Sequence, residues 1–454
     1  MKSLSFPIPF LMGSVIKRVV RIPCWIAAIV FAALLGMGRA GAWEDDSWEP
    51  LEIFSRASSL LHGAAEPTGL EFFVDYFGVF QGNPVGGQSQ SFAYSQYLPF
   101  GFEWKEPLGW RGGGLRVSAV SCAGRNLSED IGNAYTVSQA WDGNTLFLYQ
   151  AYLVQKAFDG RLEIGIGRVA AEQFFATLPA FDLLVTGGLN SVPIALELNS
   201  PFTGSASASW FAGARWLPRE EFSLTAGVFQ ARADLGETGP YTGLDLGLNE
   251  NDGTFGVVEF AWTPNSKEFT AVQQDRNFTR GRRELHGDGS GLPGVYKLGA
   301  YVSNEPESSY AGGWGGSPFG FYLLGQQMLW EQSPGGKQPS QFSIFGGVVW
   351  SPPTGVTEMP VSGFAGGVWR GPWSARPMDH LYGVWQIGSF SEPYARSQGQ
   401  SASGAFESVL NTGYIIQITK EFSIQPDIQY IIRPGGFGQV GNALVLGLQV
   451  AVEL

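Results

Sequence analysis

Three histidines, His62, His286 and His380, stand far apart in the chain, and neither HExxH nor GxSxG occurs. Zinc hydrolysis and serine-type acyl transfer both depend on such groupings, so the residues point away from either chemistry. Asp379-His380 is an adjacent acid–imidazole couple, but it lies beside Pro377 at an expected strand boundary and reads as rim decoration. Gly165-x-Gly167-x-x-Ala170 matches a variant dinucleotide fingerprint. The strand before it alternates where a nucleotide fold needs a buried parallel run, and a helix opening there would soon meet Pro179. Asp245, Asn249, Glu250, Asn251 and Asp252 offer oxygen ligands at a spacing that fails the EF-hand template. Arg276, Arg280, Arg282 and Arg283 could attract anions, although a solvated loop or a lipid headgroup contact suits them better. No cofactor or metal is called for.

What remains is charge placed at every second position. Asp75, Glu103, Lys105, Arg116, Glu163, Glu259, Lys297, Glu407, Asp427 and Arg433 all fall on the small or polar side of alternating stretches. In a water-filled tube such residues need no buried partner, and rings of charge set ion preference. Their mixed signs favour a neutral polar solute whose hydroxyls they can hydrogen-bond. Trp104, Trp330, Trp350, Trp369 and Trp385 lie on or near expected strands. Indole faces can stack on a pyranose ring, but a girdle of rings at the lipid interface accounts for them better.

The elements that would carry these residues are strands. From Leu444 to Leu454 the even positions are Leu444, Leu446, Leu448, Val450, Val452 and Leu454, and the odd ones are mostly small or polar. A period of two sustained over this length fits a strand that crosses a bilayer with tilt. Leu162, Ile164 and Ile166 against Glu163, Gly165 and Gly167 repeat the pattern, as do Phe422 to Arg433 and Tyr296 to Val302. A broad aliphatic face opposite a small or polar one suits lipid outside and water within.

Strands are expected near 70–80, 97–106, 113–122, 145–156, 160–168, 207–217, 222–232, 254–263, 294–303, 319–330, 341–350, 362–370, 381–390, 407–419, 422–432 and 442–454. The fold class is therefore all-β: a transmembrane antiparallel β-barrel of about 16 strands, wide enough for an aqueous lumen. Connections mostly alternate long and short. Residues 264–293 break that rule and could hide a strand pair around Phe269 to Val272. The connection 169–206 is long and carries Phe174, Phe175, Phe181, Pro179 and Pro193 with few charges. A solvated loop would be more polar, so this one is expected to pack on something, either folding inward to narrow the tube or lying over its outer rim.

The organisation is a leader, a lead-in and one barrel. Lys17, Arg18 and Arg21, the apolar run Ile22 to Met37 and Ala40-Gly41-Ala42 form a cleavable export signal over 1–42. Residues 43–66 make a periplasmic lead-in and 67–454 the barrel, placing the chain in the outer membrane of a bacterial cell. Residues 1–42 hold five of the 28 basic residues and none of the 40 acidic ones, leaving 23 against 40, a net charge of −17. That balance excludes nucleic acid as a partner. Cys24 leaves with the leader and Cys122 remains alone, so no intrachain disulfide forms.

Several segments resemble the carbohydrate-selective outer-membrane porins of the OprB type. They are Leu292-Pro-Gly-Val-Tyr-Lys-Leu-Gly-Ala300, Gln327-Met-Leu-Trp330, the run from Ile424 to Gly436, and Asn442-Ala-Leu-Val-Leu-Gly-Leu448. Phe158-Asp-Gly-Arg-Leu162 and Gly82-Asn-Pro84 match more loosely. The sequence departs from the family at Leu454, where an aromatic is usual, and in the length of 264–293. The resemblance implies passive, facilitated diffusion of mono- and small oligosaccharides, with outer-membrane lipid around the barrel and a possible homo-oligomer of barrels. Two other readings stay open: a general diffusion porin for small hydrophilic solutes, and a barrel-type lipid-modifying enzyme.

Overall fold

The computed structural model describes residues 69–454 except 205–206, 233–242, 250–251, 267–284, 286, 305–308, 311, 313–315, 333–339 and 353–354. The leader, the lead-in, the arginines between 276 and 283 and the segment Phe269 to Val272 lie outside the described residues.

Sixteen strands close a single antiparallel barrel among the described residues. They are β1 (Leu70–Val85), β2 (Phe92–Lys105), β3 (Gly113–Gly124), β4 (Thr145–Ala157), β5 (Leu162–Val169), β8 (Ser209–Arg219), β9 (Phe222–Ala231) and β10 (Gly253–Trp262). The wall continues through β11 (Gly294–Ser303), β12 (Phe319–Gln332), β13 (Ser340–Trp350), β14 (Val361–Arg370), β15 (His380–Ser389), β16 (Phe406–Gln417), β17 (Phe422–Ile432) and β18 (Ala443–Glu453). A two-residue hairpin, β6 (Leu189–Asn190) with β7 (Val192–Pro193), sits in the connection between β5 and β8. β18 pairs with β1 through Asp75 opposite Glu453 and Val79 opposite Gln449, which closes the sheet and leaves no free edge. β10 pairs directly with β11, so the barrel closes without any strand from 264–293.

Register converts alternation into two faces. Ile164, Ile166, Val228, Leu298, Leu323, Ile428 and Leu446 face outward and are exposed, which is the position lipid would occupy. Trp330, Trp350, Trp369 and Trp385 are exposed on the same outer face. The connections between β2 and β3, β4 and β5, β8 and β9, and β16 and β17 are short and share one rim. Most of those on the other rim are longer, and two of them turn into the barrel. Residues 170–204 are largely buried and 125–144 are buried or half-buried at most positions, and Phe175, Phe181, Leu183 and Leu196 join one apolar cluster with Phe229, Phe255, Phe345 and Phe364 from the wall. Phe181 meets Phe364 edge-on with ring centroids 5.4 Å apart, and Phe175 meets Phe229 in the same way at 6.1 Å.

A loop inside a barrel brings backbone amides and carbonyls away from water, and each needs a partner. The inward polar residues supply them. Gln81 and Gln429 each donate from Nε2 to the Val137 carbonyl at 2.8 Å. Gln425 donates to the Leu183 carbonyl at 2.8 Å, and the Ala180 amide donates to Gln326 at 2.9 Å. A bulge in β4 turns both Tyr149 and Gln150 inward, where they bond Glu172 and Gln173 of the inserted connection.

Candidate functional site

The ten charged candidates divide into groups with different surroundings. Glu259 on β10 forms a buried ion pair with Lys297 on β11 at 3.0 Å, and also accepts from the Tyr322 hydroxyl and from the Ala176 amide of the inserted connection at 2.7 Å. Ala176 has φ 57°, a left-handed conformation that a non-glycine residue holds only when its surroundings fix it. Glu407 on β16 accepts from the amides of Ala134, Tyr135 and Gly435 at 2.9, 2.7 and 2.6 Å. Asp427 accepts from the Tyr382 hydroxyl at 2.8 Å and from Asn411 and Gln429. Asp75 takes the Leu454 amide at the closure seam. The expectation that inward charges need no partner from the protein fails for these five: connections reach Glu259 and Glu407, neighbouring wall residues hold Lys297 and Asp427, and the chain end holds Asp75.

Glu103, Arg116 and Glu163 behave differently. Together with Arg215 they line a cavity of about 300 Å³ beneath β2, β3, β4, β5 and β8, which reaches the short-turn rim at Glu106, Gly112 and Lys156. That volume is at the lower end of small-molecule sites. Arg116 approaches Glu103 at 4.0 Å, and Arg215 pairs with Glu163 across neighbouring strands. Lys105 stands at the rim of this space, half-exposed and paired with Glu71 at 2.9 Å. Arg433 lies just beyond β17, in a turn where its guanidinium covers the Phe406 ring at 4.7 Å.

The cavity also has an aromatic lining beside the charges. Phe174, brought in by the connection after β5, stacks on Phe211 with centroids 4.8 Å apart and planes 17° from parallel. Tyr152 meets Phe174 edge-on at 5.8 Å. Gly165, Gly213 and Gly227 are neighbours across β5, β8 and β9. A Cβ on Gly213 would come within 2.6 Å of the Phe211 ring, and one on Gly227 within 3.0 Å. The three glycines form a floor without side chains, on which Phe211 lies against the wall. In this way Gly165 of the rejected nucleotide fingerprint finds a different use.

Arg215, Phe211 and Tyr152 were not singled out from the sequence. Arg215 falls at the inward register of the strand expected over 207–217, so alternation could have found it. The pairing of Phe174 with Phe211 depends on where a connection of nearly forty residues folds, and no local pattern encodes that. Asp379, beside His380, accepts from Arg376 at 2.9 Å, the Tyr414 hydroxyl at 2.7 Å and the Gln417 amide at 3.0 Å, tying the short-turn rim together.

Comparison with known proteins places this arrangement. Porin B of Pseudomonas aeruginosa is 24% identical, with 84% of this chain and 87% of that protein aligned. A protein described as putative porin QuiX from Acinetobacter baylyi is 23% identical, covering 72% of this chain and 77% of the relative. The high-pH structure of Pseudomonas putida OprB superposes with a TM-score of 0.72 at 21% identity, covering 86% of this chain and 96% of that one. The family model described as carbohydrate-selective porin, OprB family, matches residues 89–454, and with the closed barrel and its inserted connections in place, the chain belongs to that family.

Proposed function

We propose that this outer-membrane porin passes mono- and small oligosaccharides by passive diffusion along the wall of β2 to β5 and β8, with the cavity as the narrow station on the route. The observation that carries the reading is two ion pairs and a stacked aromatic pair lining the same cavity. A pyranose has hydroxyls at its edge and C–H groups on its face, so the guanidinium and carboxylate groups would exchange hydrogen bonds with the edge while Phe174 covers the face. Because each charge already has a counter-charge, a neutral solute can displace water there without leaving a charge unpaired. The sugar pauses, and no covalent step or energy source is needed.

Single-channel conductance in planar bilayers, with glucose titrated as a blocker, tests this. Glucose should reduce the current through the native protein. Phe174→Ala should raise the half-blocking concentration about two- to tenfold, the equivalent of an aromatic contact of about 0.5–1.5 kcal/mol. Equal liposome swelling rates for glucose and an amino acid of similar size would favour a general diffusion pore instead.

A further inference from the structure

The connection between β9 and β10 does not simply project from the barrel. Its segment 243–249 crosses the outside of the wall near the long-loop rim, passing β4, β5, β8 and β9 in turn. Gly243 has φ +70° and lies against the β4 backbone, where a Cβ would come within 2.3 Å of the Leu148 carbonyl. Arg168 on β5 donates to the Asp245 carbonyl at 3.1 Å. Trp210 on β8 donates from its indole to the Leu246 carbonyl at 3.1 Å. Gln230 on β9 donates to the Gly247 carbonyl at 3.0 Å, and Arg232, just past that strand, pairs with the Asp245 carboxylate at 2.8 Å.

Register makes this crossing informative. Ile164, Ile166 and Arg168 share one face of β5, and Leu224, Val228 and Gln230 share one face of β9. The aliphatic members are exposed, with Ile166 at 58% and Val228 at 52%. The polar members above them are covered, with Arg168 at 2% and Gln230 at 8%. The crossing segment therefore lies over polar groups on a surface that otherwise faces lipid. It presents Leu244, Leu246 and Leu248 outward in their place, at 58%, 52% and 75% exposure. An alternating leucine row held by its own carbonyls is a poor surface for water, and it continues the apolar band directly below it.

We propose that residues 243–249 form a strap whose leucine row is seated in the acyl-chain boundary of the outer leaflet, extending the lipid-contacting band over β4, β5, β8 and β9. The occupant is lipid hydrocarbon, because the row is continuous with Ile166 and Val228. Cationic side chains on the outer face of a barrel are tolerated only near the membrane surface, and the strap bonds Arg168 and Arg232 at that level.

Nitroxide accessibility in the full-length protein tests the assignment. In a chain with Cys24→Ser and Cys122→Ser, single labels would be placed at Leu244→Cys, Leu246→Cys or Leu248→Cys, with Val228→Cys and Ser401→Cys as references. The protein would be reconstituted in phosphatidylethanolamine–phosphatidylglycerol vesicles. Labels on the strap should collide with oxygen in preference to a nickel chelate, as at Val228 and opposite to Ser401. Chelate accessibility equal to that at Ser401 would overturn the proposal. Spin–spin broadening that grows with protein density would overturn it in favour of a second copy of the chain. Chelate access at Val228 would overturn it together with the lipid-facing reading of the wall.

Discussion

Two sectors of the same wall carry the same alternating pattern and put it to different uses. On β10 to β17 several inward polar residues bond to backbone groups of the inserted connections, as Glu259 does with Ala176 and Glu407 with Ala134 and Tyr135. On β2 to β8 the inward charges pair across neighbouring strands and leave a cavity. The difference does not lie in the strands. It lies in where the connection after β5 runs, since its apolar residues press against Phe229, Phe255, Phe345 and Phe364 and only Phe174 turns toward the cavity. A polar residue in a barrel interior can thus line the pore, bond a neighbouring wall residue or anchor a loop, and arriving backbone decides the last.

The comparison breaks most visibly if the inserted connection is removed. Deleting 176–198 should raise single-channel conductance several-fold, because the filled sector would open to water. Unchanged conductance in a correctly folded barrel would mean that the connection does not limit the route. Next in size is the anchor itself. Glu259→Gln leaves Lys297 without its buried counter-charge and should cost about 3–5 kcal/mol. Urea unfolding in vesicles, followed by tryptophan fluorescence, checks this, and a loss below about 1 kcal/mol would remove Glu259 from the anchoring set.

A smaller effect sharpens the picture on the β3–β4 connection. The Asp142 carboxyl, ordinarily at 3.8, is pushed up to about 8 by burial and by the nearby Glu172 carboxylate. The unfolded chain gives up this proton at lower pH than the folded one, so the connection loses stability as pH rises from about 4 to about 8. Asp142→Asn should remove that slope. Amide exchange in 136–141 should slow by roughly tenfold or more at pH 8 and stay unchanged at about pH 2.5, where Asp142 is protonated in both states. Equal protection at both pH values would show that Asp142 does not oppose insertion. The smallest effect belongs to the rim. Lys105→Met breaks an exposed pair with Glu71 and should change stability by about 0.2–1 kcal/mol, with little change in glucose block. A large change in block would move Lys105 from the rim into the route.

All sixteen expected strands appear within a few residues of their observed bounds, and even the shortest, β5 (Leu162–Val169), was marked by Ile164 and Ile166 against Gly165 and Gly167. The candidate site was only partly legible. Glu103, Arg116 and Glu163 were found by register, but Asp75, Glu259, Lys297, Glu407 and Asp427 looked the same and are bonded elsewhere. One signal was available and not weighted. Phe229, Phe255, Phe345 and Phe364 are large apolar residues at inward positions, which an open tube of water would leave without partners. Together with Phe175 and Phe181 they mark where a connection must pack.

The sequence alone determined the barrel, because a strand's two faces follow from a period of two, and one unbroken aliphatic face can satisfy its surroundings only against hydrocarbon. The phenylalanines of the connection after β5 showed that it must pack on something, but not whether inside the tube or over its rim. Only the tertiary structure decided which inward charges face the cavity and which hold a loop, and that 243–249 lies across the outer wall. The physical reason is range. Alternation is set by neighbours along one strand, whereas a buried amide finds its carboxylate, as Ala176 finds Glu259, across 83 residues of chain.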